Sequence, residues 1–139
     1  MRNTNNINAV FSHIDSTFIP DSVSRSRIAL EVLSDGRAHP KIDLLLALGN
    51  DPRSQLQTLI GERYGFWSIQ NLGGKKGVYQ LDARHFSGNS QDDLYARLES
   101  KKRYRERSLS QAFREASRRK MAREQYFQAL ENWANTHEK

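Results

Sequence analysis

Between positions 53 and 58 the chain sets Arg53, Ser54, Gln57 and Thr58 close together, with no acid among them. These side chains suit hydrogen bonding to base edges: glutamine pairs with adenine, arginine with guanine, and serine or threonine with several partners. Further on, NLGGKKGVYQL places Lys75 and Lys76 among Gly73, Gly74 and Gly77. A lysine at a turn tip can hold a phosphate, which positions a nucleic acid without reading it. Other chemistries find little support. There is no cysteine, which removes disulfides, thiolate zinc sites and thiol nucleophiles. His13, His39, His85 and His137 are scattered, without metal-ligand spacing, and read as surface or capping residues, His39 as a helix-cap neighbour before Pro40. The glycine–lysine stretch is no phosphate-binding P-loop, because no hydroxyl follows the lysines and a strand, not a helix, comes next. Asp92 and Asp93 stand at an expected helix start, where capping is the simpler role. The expectation is therefore a binding protein, with no catalysis, no metal and no cofactor.

The 139 residues suffice for one modest domain and an appendage. Only 37% are hydrophobic, so part of the chain is expected to be extended or buried only against a partner. The net charge is +6 and uneven: residues 1–82 carry nine Lys/Arg and eight Asp/Glu, residues 83–139 thirteen and eight. Such a surplus favours polyanionic partners. No apolar run approaches the ~20 residues of a membrane span, and the N-terminus lacks the apolar centre of a signal peptide. A cytoplasmic protein with no membrane association is expected.

Several elements would position these residues. Residues 1–22 read equally as a polar arm or as a short amphipathic helix carrying Ile7, Val10, Phe11, Ile14 and Phe18. A helix is expected over 24–34, stopped by Asp35-Gly36. A second starts at Pro40 and is apolar nearly all round, which predicts burial. Asp51 and Pro52 would cap and open a third, over 52–63. Its core stripe is Leu56, Leu59 and Ile60; its outer face holds Ser54, Gln57, Thr58 and Gly61, with Gly61 allowing close approach of a nucleic-acid backbone. Strands follow at 66–71 and 77–82, with Trp67 and Ile69 on one side and Tyr79 and Leu81 on the other. Residues 83–90 read as a polar linker. A Ser90/Asp93 capping box would then open a helical region reaching about Ala134, as one helix or as two with a second start at Ser108.

The order of helix, buried helix, tight turn, polar-faced helix, strand, glycine–lysine hairpin and strand resembles a winged helix-turn-helix DNA-binding domain, of the kind found in small phage or prophage regulators. The resemblance covers residues 24–82, through GRAHPKIDLLLALG, PRSQLQTLI and GFWSIQNLGGKKGVYQLD. It implies a mainly α fold with a small β-hairpin, in which a winged domain (23–82) precedes a basic helical tail (91–139). It further implies base reading by Arg53, Ser54, Gln57 and Thr58, and phosphate contact by Lys75, Lys76, Arg25 and Arg27.

Between positions 101 and 123 lie ten Lys/Arg and two Glu. Lys101, Lys102, Arg103, Arg105, Arg107, Arg114, Arg118, Arg119, Lys120 and Arg123 suit contact with DNA phosphates, structured RNA or an acidic partner. On the same helix Leu109, Phe113, Ala116, Phe127 and Leu130 share a face expected to pair protomers, and a dimer would suit paired half-sites. Two alternatives stand beside a transcriptional regulator: a phage protein that inhibits or redirects a host nucleic-acid-processing complex, and a DNA-packaging or replication-initiation subunit.

Overall fold

Apolar residues at helical spacing form helix α1 (Ile7–Val10) in the computed structural model, which describes residues 7–137. Ile7 and Phe11 are fully buried and Ile14 nearly so, which makes this segment part of the core. The polar stretch 1–6 lies outside the described residues. After a 3-10 turn at Ser16–Phe18, helix α2 (Arg25–Leu33) starts where the Ser24 hydroxyl accepts the Arg27 amide at 3.1 Å. This cap satisfies an amide that has no partner within the helix. Gly36, at φ +75°, takes the left-handed conformation beyond the end of α2.

Strand β1 (His39–Pro40) has two residues, too few for any hydrophobic pattern to announce it. Helix α3 (Lys41–Leu48) departs from the expectation of burial all round. Leu44 and Leu48 are buried, but Ile42 is 50% and Leu46 76% exposed. A two-turn helix at the surface can offer only one stripe to the core. Pro40 and Pro52 stand at the N-cap positions of α3 and of α4 (Arg53–Ile60), not inside them. Helix α4 is shorter than its sequence pattern; it ends at Gly61, and a 3-10 turn at Glu62–Tyr64 continues the chain.

Strands β2 (Ile69–Asn71) and β3 (Val78–Leu81) complete a three-stranded antiparallel sheet in the order β1-β3-β2. Ile69 stands opposite Leu81, and Tyr79 lies between Asn71 and His39. The first of the two expected strands begins three residues late because Phe66 has φ +60°. That value belongs to the left-handed region, which a bulky side chain rarely adopts. Trp67 then enters the core fully buried, with the Phe11 ring edge-on at 5.1 Å. Leu30, Leu33, Leu44, Leu56, Leu59 and Leu81 belong to the same cluster.

Residues 83–90 are not the linker expected from their polarity. They hold a 3-10 turn at Ala83–Phe86, in which His85 is fully buried and Phe86 packs on Phe11 at 5.5 Å. Helix α5 (Ser90–His137) follows as one unbroken element, without a second start at Ser108. The expected capping box is replaced: Asn89 accepts the Gln91 amide at 2.8 Å, while Asp93 turns inward. The chain divides into two compact units, the first ending at Tyr104 and the second starting at Arg105. The start of α5 thus belongs to the first unit.

Polar side chains hold it there. Asp93 receives His85 Nδ1–H at 2.7 Å and Arg97 Nε–H at 2.8 Å. His85 Nε2 accepts the Ser68 amide at 3.0 Å, so the ring is neutral with its proton on Nδ1. Arg97 donates to the Tyr64 and Gly65 carbonyls and stacks on Trp67 at 4.2 Å and Phe18 at 4.5 Å. Ser100 donates to the Trp67 carbonyl at 3.2 Å, and Arg103 to the Ser68 hydroxyl at 3.0 Å. Ser68 in turn donates to Asp82, whose carboxyl is held at about 2 by Arg84 and Ser68 against the cost of burial. Taking one partner from a buried ion pair costs about 3–5 kcal/mol, because the other charge stays behind unpaired.

Two histidines respond to pH with opposite sign. Burial holds His85 below the usual 6.5, aided by the charge of Arg97 and opposed by Asp93. Its contribution to stability is present above 6.5 and is lost as pH falls through the folded-state value. Burial also pushes His39 down, but hydrogen bonds to Asp35 and Asp43, at 2.8 Å each, together raise it above 6.5. Its contribution is present below 6.5 and is lost as pH rises through the folded-state value. In urea denaturation, the His39→Gln variant loses the His39 contribution and keeps that of His85, so its stability falls as pH drops from about 7 to 5. The difference between wild type and His39→Gln grows over the same descent. A flat profile for the variant contradicts the neutral, buried state of His85.

Candidate nucleic-acid interface

Helix α4 is anchored by Leu56 and Leu59, both buried, and started by Asp51, whose carboxylate accepts the Arg53 amide at 2.9 Å. That hydrogen bond, with Lys41 at 3.4 Å, lowers the Asp51 pKa. Arg53, Ser54 and Gln57 are exposed. Thr58 is half-buried, and its hydroxyl donates to the Ser54 carbonyl at 2.9 Å, leaving only acceptor capacity for a ligand. The outward face of α4 thus carries three exposed hydrogen-bonding side chains and no acid. Gly61 does not leave room for an incoming backbone. It is buried, and the Tyr104 ring lies 3.9 Å from where its Cβ would be.

The hairpin between β2 and β3 is shaped by a side chain not singled out in the sequence. Asn71 Nδ2 donates to the Gly74 carbonyl at 2.9 Å, while its Oδ1 accepts the Gly73 amide at 3.1 Å and the Val78 amide at 3.3 Å. Gly74 and Gly77 have φ +56° and +70°. An asparagine followed by glycines is the available signal for such a turn. Lys75 and Lys76 sit in the 3-10 turn Gly74–Lys76 at the tip, both exposed.

The first-unit arginines differ from the lysines. Arg25 Nη2 donates to the Leu48 carbonyl and to Asn50 Oδ1, which closes the end of α3. Arg27 pairs with Glu31 at 3.3 Å and donates to the Pro20 carbonyl. Both guanidiniums therefore have internal partners. Arg103, grouped by sequence with the basic tail, reaches Ser68 in the first unit. His85, expected at the surface, lies in the core because its two ring nitrogens find partners there.

In the second unit, Arg105, Arg107, Arg114, Arg118, Arg119, Lys120 and Arg123 are exposed, as are Leu109, Phe113, Ala116, Phe127 and Leu130. Phe113 is 77% and Leu109 68% exposed. Lys120 and Arg123 fall on the same side as Leu109 and Phe127 at helical spacing. Among the described residues no group of His, Asp or Glu is arranged to hold a metal, and no helix is long and apolar enough to cross a membrane.

Replacing Asn71 by Ala removes three hydrogen bonds that shape the hairpin. Amide exchange at Gly73 and Val78 should then quicken by roughly five- to tenfold, as for loss of a bond of about 1 kcal/mol, while the Trp67 amide is unchanged. Unchanged exchange at both positions would show that the glycines alone hold the turn.

No protein-family model matches the chain, and no solved structure matches it. The protein translocase subunit SecA 1 of Rhodopirellula baltica is 32% identical over 107 residues, which make up 76% of this chain and 8% of that protein. The likeness is thus to a segment, and the chain spans less than a tenth of that relative.

Proposed function

We propose that the first unit is a winged helix-turn-helix domain that reads duplex DNA through α4 and contacts phosphates through Lys75 and Lys76, as a phage-type transcriptional regulator in the cytoplasm. The observation that carries this reading is the outward face of α4. Arg53, Ser54 and Gln57 are exposed on a helix fixed by Leu56 and Leu59, and no side-chain hydrogen bond engages them among the described residues. The element order α2, β1, α3, α4, β2, β3, with β3 central in the sheet, supports it. So does the glycine-shaped hairpin with two exposed lysines at its tip.

Base-edge contacts and phosphate contacts predict different losses. Gln57→Ala should weaken binding to a selected duplex by about 1–3 kcal/mol and relax its sequence preference, with the slope of affinity against salt unchanged. Lys75→Ala with Lys76→Ala should weaken binding to all duplexes and lower the salt slope by about 2, one per lysine. Fluorescence anisotropy across a salt series separates the two. A wild-type protein that shows no duplex preference over competitor DNA at moderate salt removes the reading.

The second unit is proposed to pair protomers through Leu109, Phe113, Ala116, Phe127 and Leu130, bringing two α4 helices to paired half-sites. The support is the size of the exposed apolar side chains at helical spacing. Lys120 and Arg123 on that face weaken the pairing, since like charges at a helix seam repel. Phe113→Asp with Leu130→Asp should give a monomer in light scattering at concentrations where the wild type is dimeric. A monomeric wild type at high concentration excludes the dimer.

A further inference from the structure

Three residues on one edge of α5, at i, i+4 and i+7, lie along the segment that leaves α4. Arg97 donates to the Tyr64 and Gly65 carbonyls. Lys101 stands with its ammonium 5.6 Å from the centre of the Phe66 ring. Tyr104 packs edge-on against the same ring at 5.6 Å and covers Gly61 at the end of α4. The first is an internal fixture. The other two differ from it and from their helix neighbours Ser100 and Arg103, whose side chains donate inward to the Trp67 carbonyl and to Ser68. Neither the Lys101 ammonium nor the Tyr104 hydroxyl has a hydrogen-bond or ion-pair partner among the described residues. Tyr104 remains 39% exposed.

Phe66 explains how they are held. Its φ of +60° sets the ring where Lys101 and Tyr104 both meet it, and its amide is tied to the Gly61 carbonyl at 3.0 Å. An ammonium and a phenol that meet the same ring, neither with an internal polar partner among the described residues, can each contact a phosphate oxygen. Their place at the C-terminal end of α4 aligns them with the helix proposed to read bases.

We propose that Lys101 and Tyr104 form a phosphate-binding flank at the C-terminal end of α4, gripping the backbone of the DNA duplex that α4 reads, with Phe66 as their positioning residue. This rests on the DNA-reading role of α4. The helix α5 then has a binding function within the first unit, separate from that of the second unit.

The test uses the full chain and a mixed-sequence DNA duplex, with anisotropy followed across a salt series. Lys101→Gln combined with Tyr104→Phe keeps the rings packed while removing the charge and the hydroxyl. The double variant should lose about tenfold in affinity and about one unit of salt slope, and it should keep the wild-type order of preference among duplexes. Equal affinity and slope in variant and wild type overturn the flank while leaving the reading by α4 intact. A wild-type protein that binds no duplex overturns both. Lys101→Gln alone, which leaves Tyr104 on Phe66, should carry the loss of slope by itself. An unchanged slope there removes Lys101 from the contact.

Discussion

Asp93 sits near the start of α5 with its carboxylate between the imidazole of His85 and the guanidinium of Arg97, all three nearly removed from water. Isolated charges cannot be left in such a place, so each must find partners. Asp93 does so through two donors, which outweigh the burial that would raise its pKa and keep it lowered. Arg97 spreads its charge over Asp93, two carbonyls and two aromatic faces. The neutral histidine links the pair to the Ser68 amide just before β2. This arrangement fixes the start of α5 against Trp67 and against the turn leaving α4, and the candidate interface inherits its geometry from that constraint.

The consequence is a division of labour along α4. Its buried stripe, Leu56 and Leu59, belongs to the core, and its first turns leave Arg53, Ser54 and Gln57 outside. Its end is closed by Gly61 beneath Tyr104, a residue the fixed part of α5 delivers. The strained Phe66 is the cost of turning sharply from that end into the sheet. A left-handed non-glycine residue of this kind costs about 1–3 kcal/mol and persists only where its surroundings over-determine it. Trp67 in the core and the Gly61–Phe66 hydrogen bond supply that determination.

Local signals were legible where one residue decides one piece of backbone. Asp51 holds the first amide of α4, Gly36 follows the end of α2, and Trp67, Ile69, Tyr79 and Leu81 give the outline of the hairpin. What escaped was tertiary. Strand β1 is two residues long and exists only because β3 offers an edge. His85 and Arg97 look like surface residues by type, and their burial depends on partners 8 and 4 positions away. Arg25 and Arg27 looked like phosphate ligands until Leu48, Asn50, Pro20 and Glu31 claimed them. Ile42 and Leu46 looked buried because composition cannot say which stripe of a short helix faces the core.

In the proposed reading α4 is the element that meets DNA. The most direct measurement is nuclear magnetic resonance of the full chain titrated with a DNA duplex. The largest shifts are then expected at the backbone amides of Arg53, Ser54, Gln57 and Thr58, with further changes at Lys75 and Lys76. Shifts confined to residues beyond Tyr104, with α4 unperturbed at saturation, would contradict it.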